Sequence, residues 1–391
     1  MNPDSSPATA TVPPAAEGSK IAEGLRGIAV SESKISFVDG VNGRLLYRGY
    51  DIADLAEHSS FEETSYLLLH GELPTKPQLR EFTKALQAER KIPSTLLKIL
   101  KSLPKETNPM DVLRTGISYI GALDQDSETT DPQARMRVSR RIIAKCPTIV
   151  AAFHRIRTGQ KVVNPRSSGT HAENFLRMLL GREPDEFEAR AMDVALVLHA
   201  DHEFNASTFA ARVTISTLSD VDSAVTSAIG TLKGPLHGGA NRAVMAQLKE
   251  IGDVKNAEAW VRRKLGAHEK IMGFGHAVYK TMDPRATVLK EYSRQMGERK
   301  GNTKWYELSA KVQDLVYREK QLWPNVDFYS AGLYELIGIP DDLFTTVFAI
   351  SRMSGWLSHV IEQIEHNKLI RPVSNYVGPP LRKWVSPGRR G

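Results

Sequence analysis

One cysteine in 391 residues leaves no internal disulfide to be made. A lone thiol fits a chain kept in a reducing compartment. Cys146 sits in Ile142-Ile143-Ala144-Lys145-Cys146-Pro147, among apolar neighbours, and reads as buried filler, with a thiol nucleophile as the alternative. Long hydrophobic runs are missing as well. Ala195-Leu196-Val197-Leu198 stops at His199, too short to span a membrane, so no membrane association is expected. There is no HExxH, no zinc-finger spacing, no basic region feeding a heptad zipper and no basic-aromatic RNA-binding signature. The net charge of +7 is moderate. Its clusters, Arg135, Arg137, Arg140 and Arg141 and then Arg382, Lys383, Arg389 and Arg390, suit a small polyanion as well as a nucleic acid. No nucleic-acid partner is expected. Residues 1–22 have their first basic side chain at Lys20, carry Asp4 and Glu17, and lack an apolar stretch. That excludes a mitochondrial presequence and a secretory signal, and the expectation is a disordered tail on a cytoplasmic protein.

What is present is an ordinary globular composition, 41% hydrophobic and 25% charged, in a chain long enough for two domains. Ile35-Ser36-Phe37-Val38 and Arg44-Leu45-Leu46-Tyr47 flank Asp39-Gly40-Val41-Asn42-Gly43, which predicts a β-hairpin. Beyond it strand signals nearly vanish. Ser60 with Glu63 predicts a capped helix running to His70 and stopping at Gly71, and Thr75 with Gln78 caps another over Leu79–Arg90. Further helical periods cover Asp111–Leu123, Ala134–Lys145, Ala172–Leu180, Glu186–His199, Ala206–Leu218, Arg242–Ile251, Ala257–Leu265, Pro284–Arg299, Lys304–Glu319 and Asp342–His366. The fold class is all-α with one small hairpin, and no solenoid-length repeat is present.

The chemistry-bearing residues gather in a few places. In Lys270–Arg285, glycines on both sides of Phe274 leave His276 on tightly bending backbone. Asp283-Pro284 reads as a helix start, which sets Arg285 in an anion-attracting first turn. The alternative is a plain loop with a surface His and Arg. Gly-Pro and Gly-Gly pairs set His237 at the mouth of the next helix, where a neutral imidazole is favoured as a hydrogen-bond donor to a developing oxyanion, against a surface-turn His. His199 and His202, three apart and flanked by acids, suggest a metal site, but no third ligand lies at a telling spacing and none is expected. A helix C-terminus there favours a protonated or donating His199. Asp327 lies among apolar and small residues, where partial burial raises a carboxylate toward a working base, unless it merely caps a helix. Arg352 interrupts the stripe of Phe344, Phe348 and Trp356, so it needs a carboxylate from the protein or from a ligand. Arg371 follows before Pro372, Tyr376 and Gly378.

Four of these stretches, GPLHGGAN, GFGHAVYKTMDPR, NVDFYSAG and the SRMSGW…RPVSNYVG ending, occur in the order found in citrate synthases, and the chain from about Gly24 to Gly391 resembles that family. The resemblance implies an all-α enzyme that condenses acetyl-CoA with oxaloacetate and water to citrate and CoA. No cofactor is tightly bound, and the coenzyme A thioester is a co-substrate. His237, His276 and Asp327 match the catalytic trio. His202, Arg285 and Arg352 match groups that hold oxaloacetate, and Arg371 matches one contributed by the other subunit of a homodimer. Lys280 falls where the family often has a basic residue near the CoA phosphates, Arg in some relatives. The family pattern divides the chain into a large helical domain, 23–237 with 340–391, and a small one, 238–339, that closes over the substrates. The length leaves no room for the N-terminal domain of NADH-inhibited forms, so a dimer without that control is expected. 2-Methylcitrate synthases, which use propionyl-CoA, share these motifs, because the difference is pocket room for one methylene.

Overall fold

Apolar side chains at helical spacing, with a capping residue before most runs, dictate a helical chain. The structure, a computed structural model, describes residues 21–390 except 26 and 277. The tail expected over residues 1–22 thus lies, as far as residue 20, outside the described residues. The described residues fall into two compact units, Ser33–Leu369 and a second that joins those before Ser33 to those from Ile370 on.

The larger unit opens on the hairpin. β1 (Ser36–Asp39) pairs antiparallel with β2 (Arg44–Tyr47), Ser36 opposite Tyr47 and Asp39 opposite Arg44. A third strand, β3 (Tyr50–Asp51), extends the sheet, and two residues carry too little pattern to be foreseen. Then come α1 (Ile52–His58), α2 (Phe61–His70), α3 (Lys76–Glu89), α4 (Ser94–Ser102) and α5 (Pro109–Ala122). Ser60 caps α2 by accepting from Glu63 N, and Gly71 ends it in the left-handed region at φ 93°. Gln78 reaches back to Thr75 N at 2.9 Å to start α3.

α6 (Pro132–Arg157) departs from expectation. The sequence predicts an end at Lys145 because Pro147 cannot donate to the carbonyl of Ile143, at a cost of about 3 kcal/mol. The helix nevertheless continues for ten residues beyond Pro147, because Ile149, Val150, Ala151, Ala152 and Phe153 are all buried there. Cys146 is fully buried on the same helix, which pushes its thiol pKa up and leaves it inert filler.

α7 (His171–Leu180), α8 (Glu186–His199), α9 (Ala206–Ser216) and α10 (Val221–Leu232) complete this part. α11 (Ala240–Ile251), α12 (Ala257–Gly266), α13 (Pro284–Arg299), α14 (Lys304–Lys320) and α15 (Val326–Ile337) pack largely on one another. α16 (Phe344–Glu365) is the hub, in contact with α2, α5, α6, α8, α9, α10 and α11. Its faces are buried all round, which is why its apolar content does not fall on a single stripe.

The second unit, over its described residues, is nearly devoid of regular structure. A turn of 3-10 helix at Pro387–Arg389 is its last element. Tyr376 donates from its hydroxyl to Pro379 O at 2.8 Å, and Arg390 Nε donates to Val385 O at 2.8 Å.

Candidate active site

The loop after α8 is gripped from two sides. From the hairpin, the Ser36 hydroxyl donates to the Asp201 carboxylate, Val38 N donates to Glu203 Oε1, and Tyr47 Oη donates to Asp201 O at 2.9 Å. From α16, Gly355 N donates to Ala200 O at 3.1 Å, and a Cβ on Gly355 would lie 2.3 Å from Asp201 Oδ1. His359 Nε2 meets Asp201 Oδ2 at 3.2 Å, both side chains fully buried. His202 therefore has little freedom. Its Nε2 lies 3.3 Å from Tyr279 Oη, and its ring is edge-on to His276 at 5.2 Å. Burial, then the charges of Arg285, His276 and Arg352, hold its pKa well below the usual histidine range.

His199 faces other neighbours. Its Nδ1–H donates to Ala195 O at 2.7 Å and its ring meets Phe348 edge-on at 5.0 Å. Burial pulls its pKa to about 3, so the expected protonated form is absent and only the donating one holds. Desolvation outweighs the helix end here.

His237 precedes α11 and is partly buried. Ser207 N–H, a donor that cannot rotate away, points at His237 Nε2 at 3.2 Å, and Ser207 Oγ lies 2.8 Å from the same atom. Nε2 is therefore the acceptor, and the proton sits on Nδ1. Ser207 is itself held by Trp356 Nε1, which donates to its Oγ at 3.1 Å. Burial first and Arg352 second lower the His237 pKa to about 4. The neutral state expected from the helix mouth is present, but desolvation sustains it.

The glycine loop carrying His276 lies along the chain that enters α15. Gly275 N donates to Trp323 O at 3.0 Å, Asn325 N to Gly273 O at 2.9 Å and Asn325 Nδ2 to Gly275 O at 3.1 Å. Gly273, at φ 83°, comes so close that a Cβ would lie 2.7 Å from both Phe328 and Val244. Two backbone donors, Val278 N at 3.0 Å and Tyr279 N at 3.1 Å, point at His276 Nδ1. Its proton is therefore on Nε2, the opposite tautomer from His237. Burial and the nearby Arg285 lower its pKa to about 4.

Asp283 caps α13, as expected, but it does more. Its Oδ1 accepts from Arg285 N and Nε, each at 3.0 Å, and its Oδ2 from Arg285 Nη2 at 2.8 Å and from Val326 N at 3.2 Å. It thus fastens the start of α13 to the start of α15. Asn325, not Asp327, caps α15, accepting from Asp327 N at 3.1 Å. Asp327 is left uncommitted in the first turn, and burial raises its pKa to about 6 against the opposing pull of Arg285 and Arg352.

Both arginines are almost fully buried. Arg285 Nη1 has no hydrogen-bond partner among the described residues. Arg352 donates from Nε to His199 O at 2.7 Å, lies 4.5 Å from the Phe348 ring centre, and meets no carboxylate within ion-pair distance among the described residues. Burial lowers its pKa to about 10. Because Arg352 depresses His237 and His202 and stabilises the Asp327 anion, these groups share one electrostatic environment.

Lys280 is exposed, on the segment after His276, and Arg371 is exposed in the second unit. Beside the glycine loop a cleft of about 520 Å³ is lined by Lys270, Met272, Phe274, Lys320 and Asn325, among others. Sequence reasoning missed Ser207, Tyr279 and the full part of Asp283. Ser207 gives no signal, whereas Tyr279 and Asp283 lay inside a stretch already singled out. Together the site offers two neutral N–H donors, one poised carboxylate and two buried guanidiniums, a set able to bind a dicarboxylate and to deprotonate a weak carbon acid.

Comparison with known proteins agrees in extent and kind. The family model "Citrate synthase, C-terminal domain" matches residues 24–373. Citrate synthase 2 of Bacillus subtilis is 52% identical over 363 residues, covering 93% of this chain and 97% of that protein. The citrate synthase of Deinococcus radiodurans is 48% identical, covering 94% and 98%. A 2-methylcitrate synthase of Shewanella oneidensis is 42% identical, covering 93% and 96%. The citrate synthase of Thermoplasma acidophilum, solved as a ternary complex with carboxymethyl coenzyme A and oxaloacetate, superposes with a TM-score of 0.90 at 35% identity, covering 95% of this chain and all of that one. The chain belongs to the citrate synthase family.

Proposed function

We propose that the enzyme condenses acetyl-CoA with oxaloacetate and water, yielding citrate and CoA, in the cytoplasm. The observation that carries this reading is the pair of neutral histidines in opposite tautomers together with a carboxylate, Asp327, that feels the same two buried arginines as they do. Asp327 takes a proton from the thioester methyl. Alone it is far too weak a base, since each pKa unit of mismatch costs about 1.4 kcal/mol. His237 Nδ1–H offsets that mismatch by donating to the thioester oxygen as charge appears there. His276 Nε2–H donates to the ketone oxygen of oxaloacetate, and the new carbon–carbon bond forms at the polarised carbonyl. Water then cleaves the resulting thioester, releasing CoA.

Arg285 and Arg352, with His202, hold the oxaloacetate carboxylates. Arg285 Nη1, without a partner among the described residues, supports this, since a buried donor left unpaired is costly unless a ligand supplies its acceptor. The CoA part lies along the cleft beside the glycine loop, with Lys270, Lys280 and Lys320 near its phosphates. Residues 238–339 form a small domain that closes on a large one of 23–237 with 340–391, excluding water before condensation. Support comes from the mutual packing of α11–α15. The working assembly is a homodimer in which Arg371 of the partner subunit completes each site. Exposed Val373, Tyr376, Val377, Leu381 and Trp384 beside it favour a segment that finds its cover on another chain.

The test is thiol release from acetyl-CoA and from propionyl-CoA, each with and without oxaloacetate. Release should require oxaloacetate and be faster with acetyl-CoA. Faster release from propionyl-CoA would make the enzyme a 2-methylcitrate synthase, and release that ignores oxaloacetate would make it a hydrolase.

A further inference from the structure

The turn between β1 and β2 reaches the loop of His276. Gly40 O accepts from Lys280 N at 2.8 Å. A Cβ on Gly40 would lie 2.3 Å from Val278 O and 2.8 Å from its carbonyl carbon. Both are backbone atoms, which cannot swing aside as a side chain would. The φ of Gly40 lies outside the left-handed region, so close approach, and not the turn itself, requires glycine here. At the other end of the turn, a Cβ on Gly43 would lie 2.7 Å from Thr281 Cγ2 and 3.1 Å from Met282 O. The turn is stiff, because Asp39 Oδ1 accepts from Val41 N and Asn42 N, each at 3.0 Å, and Oδ2 from Asn42 Nδ2 at 2.7 Å. The strands behind it are the ones that hold Asp201 and Glu203 beside His202. One hairpin therefore grips the loops of both His202 and His276.

From this we infer that Gly40 is a positioning residue for the reaction. Its carbonyl and its missing side chain seat Val278–Lys280 so that Val278 N and Tyr279 N keep His276 Nδ1 an acceptor and leave the proton on Nε2. The inference rests on the proposed role of His276 as donor to the ketone oxygen. Relieving a 2.3 Å contact requires the Val278 backbone to retreat by roughly 1 Å, which carries two hydrogen bonds of 3.0 and 3.1 Å past useful length. The donor that polarises the ketone then loses both its fixed tautomer and its direction.

The test is Gly40→Ala in the full chain, with exposed Val41→Ala as the control. Nitrogen-15 NMR of histidine-labelled protein without substrates, with His276 assigned by comparison with His276→Gln, should report the Nε2–H tautomer in the unsubstituted enzyme. In Gly40→Ala it should report a mixture. The kcat/KM for oxaloacetate should fall about 30-fold or more, as expected for a displacement of this size. Unchanged tautomer signals and kinetics within twofold of the parent would overturn the inference. If Gly40→Ala does not fold, amide hydrogen exchange on the unsubstituted protein decides. The Lys280 amide should be protected, and exchange at the rate of an unstructured chain would overturn the inference. Absence of oxaloacetate-dependent thiol release by the parent enzyme would instead sink the proposed function, leaving the tautomer and exchange results to be read on their own.

Discussion

His237 and His276, lowered to about 4, hold one charge state across neutral pH, so Asp327, raised to about 6, is left to set the acid limb of the activity. A base works only when ionised. The kcat/KM for acetyl-CoA should therefore fall about tenfold per pH unit below about 6 and stay level between 7 and 8.5. Steady-state thiol release over pH 5–8.5 checks this, and activity still level at pH 5 would mean that no carboxylate raised to about 6 acts as the base. The same shift has a stability sign. A carboxyl whose folded pKa is raised contributes stability that is complete below its unfolded value and is lost as pH rises through about 6. Asp327→Asn should then lose nearly all turnover, keep oxaloacetate binding, and melt higher than the parent at pH 8, by an amount equivalent to about 1–3 kcal/mol. Arg352 makes the same argument from the cationic side. It is buried with no carboxylate within ion-pair distance among the described residues, and donates to His199 O. Arg352→Leu gives up that one hydrogen bond but escapes the desolvation of a charge on an apolar helix face. The free enzyme should melt within a few degrees of the parent or above it. The rise in Tm that saturating oxaloacetate gives, worth about 2.7 kcal/mol at a hundred times Kd, should disappear. A variant that melts well below the parent yet still gains the full ligand shift would make Arg352 a purely structural charge.

At the scale of elements, Pro147 shows where local rules yield. α6 runs through it because the residues beyond are buried among α7 and α16, and tertiary burial outweighs one lost hydrogen bond. Pro147→Ala restores that donor and recovers about 3 kcal/mol of helix propensity, against roughly 1–2 kcal/mol for the packing volume removed. Thermal melts should show Tm raised by a few degrees, and a fall would mean that the core is shaped around the proline. Where caps and periods agree, the elements were legible. α8 and α13 fall on their predicted residues, each begun by an aspartate. α10 gives no clear helical period although Asp220 caps it through Ser223 N, because Ser, Thr and Gly dilute its apolar spacing. In the α15 stretch the sequence singles out Asp327 alone. α15 is buried on almost every side, so no stripe marks it as a helix. α4 was hidden by Pro93, which reads as the end of one helix and is also the start of the next. The site was legible as residue types, since His237, His276, Asp327, Arg285 and Arg352 all stood out. Their tautomers were not, because these depend on Ser207 N, Val278 N and Tyr279 N, and backbone donors have no signature in sequence.

At the scale of the whole molecule, the C-terminal segment is the part that one chain leaves unexplained. Val373 is 88% exposed and Trp384 79%, in the same segment as Arg371, in a unit whose described residues form almost no regular structure. Apolar side chains so bare are costly in water unless another surface covers them, and the proposed homodimer supplies one. If Arg371 serves the partner's site, Asp327→Asn and Arg371→Ala can each be nearly inactive as pure homodimers and still complement each other. In a mixed dimer one site collects both defects. The other takes Asp327 from one chain and Arg371 from the other, and is intact. Mixed dimers, isolated by tagging one chain after co-refolding, should therefore regain up to about half the activity of the parent, one site of the two. If Arg371 serves its own chain, each site of a mixed dimer carries one defect. Purified heterodimers would then be no more active than their parents, and the shared-site assignment would fall while the chemistry assigned to Asp327, His237 and His276 stood untouched.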